Sequence, residues 1–116
     1  MSYVFDLDGE EVWAPSNRVA QLYLGMIETA ARVLRLPTGL RPKPSGDWYD
    51  IDRAEFTALV TGMVREFAAS GHWEFRIMVG SLLGVSIGIC DRAGITIETR
   101  DEKERTAVAD LRDAAF

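Results

Sequence analysis

Apolar residues recur at intervals of three and four through Val19, Leu22, Tyr23, Met26, Ile27, Ala30, Val33 and Leu34, the spacing of one helical face. This pattern predicts a first helix over about residues 17–35, opened by the cap candidates Ser16 and Asn17 and closed near Leu36-Pro37. A second stripe, Phe56, Leu59, Val60, Met63, Val64 and Phe67, predicts a helix over about 52–70. Its start is the best marked in the chain. Asp52 stands at the N-cap and Glu55 at N3, while Ile51 at N′ is placed to staple onto Phe56.

The stretch IMVGSLLGVSIGIC, residues 77–90, contains no charge and carries Gly80, Gly84 and Gly88 at four-residue spacing. Glu74 and Arg76 before it, with Asp91 and Arg92 after it, leave a run shorter than the roughly 20 apolar residues of a bilayer span. Val85, Ile87 and Ile89 alternate with small residues as strands do, but the segment from Trp73 to Ala93 exceeds ordinary strand length. A helix over 73–93 is therefore expected. Gly94 would be C′, with Ile95 at C″ and Cys90 at C3 as the apolar pair of a Schellman ending. Apolar side chains all round predict a helix enclosed on most sides. Each glycine costs up to about 1 kcal/mol in a helix interior. Close approach of a second backbone, from the same chain or from a second copy, would compensate.

Period-two patterning dominates residues 3–13, where Asp8-Gly9 suits the type I′ turn of a hairpin. That turn pairs Leu7 with Glu10, Asp6 with Glu11, Phe5 with Val12 and Val4 with Trp13, so Tyr3, Phe5, Leu7 and Val12 share the core face. Ile95 to Thr99 reads as a third strand on the hairpin's edge. Pro and Gly make LPTGLRPKPSGDWYD a long loop. A weaker C-terminal helix over 101–114 has only Val108, Leu111 and Phe116 as anchors, so residues 100–116 read as a charged, fraying tail. The expected fold is α+β, with three main helices packed on a small antiparallel sheet. It fits one domain spanning residues 1–116.

Charge narrows the partners. A net charge of -5 with scattered basic residues argues against nucleic acid and favours a basic or neutral partner. The lone Cys90 and a start without a basic, apolar leader point to a reducing cytoplasm and no membrane. No cofactor or metal is expected, because the chain holds no His/Cys cluster and no phosphate loop. His72 lacks an identifiable nucleophile or orienting partner, and Cys90 reads as a core filler.

Two constellations remain. The hairpin concentrates Asp6, Asp8, Glu10 and Glu11, but alternation splits these carboxylates between faces and the spacing matches no calcium loop. The loop SGDWYDID sets Trp48 and Tyr49 among Asp47, Asp50 and Asp52, as a plug for the core or as a recognition loop. Candidate binding residues are thus Trp48, Tyr49, Asp47, Asp50, Trp13, Asp6 and Glu11. No catalytic residue is assigned.

At VWAPSNRVAQLY, RLPTGL and YDIDRAEF the chain resembles a family of small uncharacterised actinobacterial proteins. In that family a Trp-x-Pro-Ser-Asn segment opens the first helix and a Leu-Pro-x-Gly turn follows it. Trp13, Pro15, Ser16, Asn17, Leu36, Pro37 and Gly39 match, and the resemblance covers about residues 3–98. It implies no activity. The expected function is a small cytoplasmic protein-interaction module, immunity-type or regulatory, with homodimerisation open. The alternative is a small-molecule binder or unusual enzyme with a pocket lined by Trp13, Trp48, Tyr49 and Trp73.

Overall fold

A computed structural model describes residues 3–115 and gives an α+β fold of four helices and a mixed four-stranded sheet. In chain order the elements are β1 (Val4–Leu7), β2 (Glu10–Trp13), α1 (Asn17–Leu34), β3 (Leu40–Pro42), β4 (Trp48–Ile51), α2 (Arg53–Ala69), α3 (Trp73–Ala93) and α4 (Glu102–Ala115). The chain divides into two compact units, Met1–Leu59 and Val60–Phe116, with the boundary inside α2. Phe116, expected as an anchor, lies outside the described residues.

In the first unit the strand order is β2-β1-β4-β3. β1 pairs antiparallel with β2 and parallel with β4, so the sheet is mixed where an antiparallel one was expected. Residues 95–99 form no strand; both additional strands come from the segment read as loop. Pro42 obscured β3. It sits on an edge strand, where a missing N–H costs no ladder bond. The β3–β4 turn closes through the Lys43 amide, which donates to the Trp48 carbonyl at 2.7 Å.

Asp8 and Gly9 have φ of 53° and 83°, as the type I′ turn requires. Leu7 and Glu10 pair as expected, and so do Asp6 and Glu11, but a bulge between Phe5 and Asp6 then sets Phe5 opposite Trp13 rather than Val12. One extra residue reverses the faces beyond it. Trp13 therefore joins the core face, its ring 5.1 Å from Phe5 and 5.1 Å from Tyr23 of α1.

α1 spans its expected range, but its buried face is rotated from the one anticipated. Ala20, Tyr23, Leu24, Ile27 and Ala31 are buried, while Val19, Leu22 and Val33 are exposed. The apolar arc of the helix is wider than the part of it that is buried. The helix ends with Arg35 in the left-handed region, its neighbour Leu36 donating to the Ala31 carbonyl at 3.0 Å. Gly39 then turns with φ 74°, and a Cβ there would lie 2.6 Å from the Phe56 amide nitrogen. Only glycine fits the Leu-Pro-x-Gly turn at this point.

α2 starts as expected: the Asp52 carboxylate accepts the Glu55 amide at 2.9 Å. Arg41 of β3 braces both side chains, 3.3 Å from Asp52 and 3.0 Å from Glu55. Its whole anticipated stripe, Phe56 to Phe67, is buried.

In the second unit α3 ends on Gly94 at φ 70°, and Ile95 donates to the Cys90 carbonyl at 2.8 Å, the expected Schellman closure. From Gly80 to Cys90 nearly every residue is buried, whereas Trp73, Ile77 and Met78 near its start are exposed. Enclosure is thus confined to residues 80–90, about half of the helix. At 21 residues, with a mean hydropathy of 1.4 over its most apolar window, the helix is long and apolar enough to cross a membrane, and half of that window is buried within the chain. Shortness, argued from the charge-free run, does not describe the complete helix. At Gly80 an added Cβ would meet side chains rather than a backbone, Phe67 at 3.3 Å and Leu111 of α4 at 3.8 Å. α4 is an ordered helix: Asp101 caps the Glu104 amide at 3.0 Å, and Arg112 forks onto Asp91 of α3 at 2.8 and 2.9 Å.

Candidate functional site

Strand alternation sorts the candidate residues onto two faces. The inner row runs Trp13, Phe5, Tyr49 and Pro42 across the four strands. Tyr49 stacks on Phe5 at 5.3 Å and on Tyr3 at 6.3 Å. Burial raises the Tyr49 hydroxyl pKa, helped by Tyr3 and Glu28, so this phenol stays neutral. Trp13 and Tyr49, both anticipated as binding residues, are thus set in the aromatic packing. Asp47 is half-buried at the entry to β4, where its carbonyl accepts the Val4 amide at 3.0 Å.

The outer row runs Glu11, Asp6, Asp50 and Arg41. Adjacent strands lie about 4.8 Å apart, so three carboxylates stand side by side, a mutually repulsive arrangement. Asp6, at the middle, is only 2 % exposed. Trp48, the outer-face neighbour of Val4, folds over it, and the indole N–H donates to Asp6 Oδ2 at 2.6 Å. Lys43 closes the other side. Its ammonium lies 3.3 Å from Asp6 Oδ2, 3.3 Å from Asp50 Oδ1 and 5.0 Å from the centre of the Trp48 ring. Asp6 Oδ1 is buried without a hydrogen-bond partner.

Burial pushes the Asp6 carboxyl upward, but hydrogen bonding with Asp50, Trp48 and Lys43, together with the Lys43 charge, outweighs it and holds the group below the usual range. Desolvation likewise works against the Lys43 charge, and hydrogen bonds to Asp6 and Asp50 with their charges reverse this, leaving its pKa raised. The cluster is therefore anionic, with an internal cation at neutral pH. Trp48 remains 39 % exposed, its orientation fixed through the N–H.

Of the anticipated residues, the outer face brings together Asp6, Glu11, Trp48 and Asp50. Lys43 was not anticipated. Its rarity was the available signal: the chain has two lysines, Lys43 and Lys103, against eleven arginines. Among the described residues no group of three or more His, Cys, Asp or Glu side chains is disposed to hold a metal ion. The outer carboxylates line up along a row rather than converging on a point.

Other features lie in the second unit. An open groove of about 610 Å³ is lined by Phe67, Arg76, Lys103, Ala107, Asp110 and Leu111, among others. His72 is not among its lining residues. The Arg76 guanidinium lies 4.1 Å from the Phe67 ring centre and donates to the Phe67 carbonyl, so it is engaged in closing α2 onto α3. Burial pushes the Cys90 thiol up to about 12, which keeps it protonated and unreactive.

The chain belongs to the family of unknown function DUF6086, which it matches over residues 1–115. No curated protein and no solved structure matches it.

Proposed function

We propose that this DUF6086 protein, of actinobacterial origin, is a small cytoplasmic interaction module, immunity-type or regulatory, that binds a partner protein through the outer face of its sheet. One observation carries the reading: Glu11, Asp6 and Asp50 stand in adjacent register, and a half-exposed Trp48 is hydrogen-bonded to the middle carboxylate. Like charges in neighbouring strands destabilise a sheet, and such costs collect where function requires them. An oriented tryptophan within charged surroundings is also the anchor type enriched at binding hot spots. The aromatic-pocket alternative has less behind it, since Trp13 and Trp48 lie on opposite faces of the sheet.

Affinity capture from the native cytoplasm tests the reading, with wild type and Trp48→Ala compared side by side. The expected result is a partner retained by wild type and lost by the variant, with the far-UV circular dichroism of the two superimposable. Capture that survives the substitution overturns it.

A further inference from the structure

The outer-face cluster is built around a cation. Lys43 sits between Asp6 Oδ2 and Asp50 Oδ1, both at 3.3 Å, with the Trp48 ring 5.0 Å away. Carboxylates on two sides and an indole face on a third make up the chemistry that recognises an ammonium or guanidinium group. The cation that fills it is loosely held. Lys43 keeps 40 % of its side chain exposed, and Asp50 keeps 54 %. The carboxylate at the base is the opposite case: Asp6 is 2 % exposed, and its Oδ1 is buried with no donor. A compact ammonium reaches one of the two Asp6 oxygens; a planar guanidinium has donors for both in one plane.

We propose that Asp6, Asp50 and Trp48 form a binding site for a basic side chain of the partner, an arginine foremost, which Lys43 fills in the free protein and vacates on binding. This rests on the interaction reading given above and specifies its chemistry. Three properties favour it over a metal ion: the carboxylates are in line rather than convergent, an ammonium already occupies the space between them, and an aromatic face is one of the walls. Lys43 borders the β3–β4 turn, where the Gly46 amide donates to its carbonyl at 2.9 Å. Its side chain can therefore swing outward without breaking a strand pairing. The internal lysine keeps three neighbouring carboxylates tolerable in the free state, and it tunes affinity, because an incoming group must displace it.

A fluorescein-labelled hexa-arginine peptide, titrated at moderate salt and followed by anisotropy, provides the test. Lys43→Met removes the placeholder and should tighten binding by about tenfold. Lys103→Met makes the same change in net charge on α4, outside the cluster, and should leave the affinity within about twofold of wild type. Adding Asp50→Asn to Lys43→Met should return the affinity to the wild-type level or below. Wild type itself supplies a readout that needs no variant: the Trp48 indole N–H resonance should shift saturably with peptide while that of Trp73 stays in place. Equal gains from Lys43→Met and Lys103→Met, or a Trp48 resonance that never moves, overturn the placeholder and leave Trp48-dependent capture standing. Capture that is indifferent to Trp48→Ala overturns the interaction reading separately.

Discussion

The two faces of the four-stranded sheet obey opposite rules. Inside, Phe5 touches Trp13, Tyr23 and Tyr49 at ring separations of 5.1 to 6.4 Å and is fully buried. The contacts there are between aromatic rings, and such pairs add to stability beyond the area they bury. Outside, the same strands align Glu11, Asp6 and Asp50, bury the middle carboxylate beneath a tryptophan and leave one oxygen without a donor. Stability alone would replace that row with threonines or valines. The contrast separates residues that hold the sheet together from residues that the sheet holds in place.

Substitutions can break or sharpen this contrast, and the inner face should give the largest effect. Phe5→Ala should destabilise by about 4 kcal/mol, read as a lowered urea midpoint, because a fully buried aromatic leaves a cavity among neighbouring rings. Gly39→Ala should cost about 3 kcal/mol, since φ 74° is strained for alanine and its Cβ would strike the Phe56 amide. A midpoint within experimental error of wild type for either variant would contradict the packing described.

Effects on the outer face should be smaller and mixed in sign. Asp6→Asn should destabilise by about 1–2 kcal/mol at neutral pH, because charge-assisted bonds from Trp48 and Lys43 are weakened. The loss should also depend on pH. Asp6 is held below the usual value of 3.8, so as pH falls the unfolded chain takes up the proton first. Its contribution is complete above that value and disappears as pH drops through the folded-state pKa. Denaturation midpoints measured from pH 6 down to pH 2.5 should therefore converge for wild type and Asp6→Asn; curves that stay parallel would remove Asp6 from the account. Glu11→Gln should be the mildest, neutral or stabilising by about 0.3 kcal/mol, because it relieves a like-charge neighbour. It should nevertheless weaken partner capture. A clear loss of stability with capture intact would reverse the roles assigned to the two faces.

Much of the architecture was legible in local pattern. Asp52 and Glu55 announced the start of α2, and Gly94 with Ile95 and Cys90 announced the end of α3, because caps are settled by a few adjacent residues. Three features were not legible. β3 and β4 hid in a segment whose prolines and glycines read as loop. The hairpin bulge moved Trp13 to the inner face although the turn residues were read correctly. On α1 the apolar arc exceeded the buried one, so periodicity identified the helix but not which half of its stripe met the core.

The site divides in the same way. Asp6, Glu11, Trp48 and Asp50 could each be named from residue type, yet the sequence left them in two separate stretches and offered Trp13 and Tyr49 on equal terms. The parallel pairing of β1 with β4 sets Asp6 beside Asp50 and Val4 beside Trp48, although 42 positions separate Asp6 from Trp48. Sequence alone determined what short-range forces decide: helix ends, the turn at Asp8-Gly9 and the stripe of α2. Tertiary structure decided which strands become neighbours, which face of α1 is covered and that Lys43 lies between two carboxylates, because those outcomes depend on long-range pairing and close packing that no local window contains.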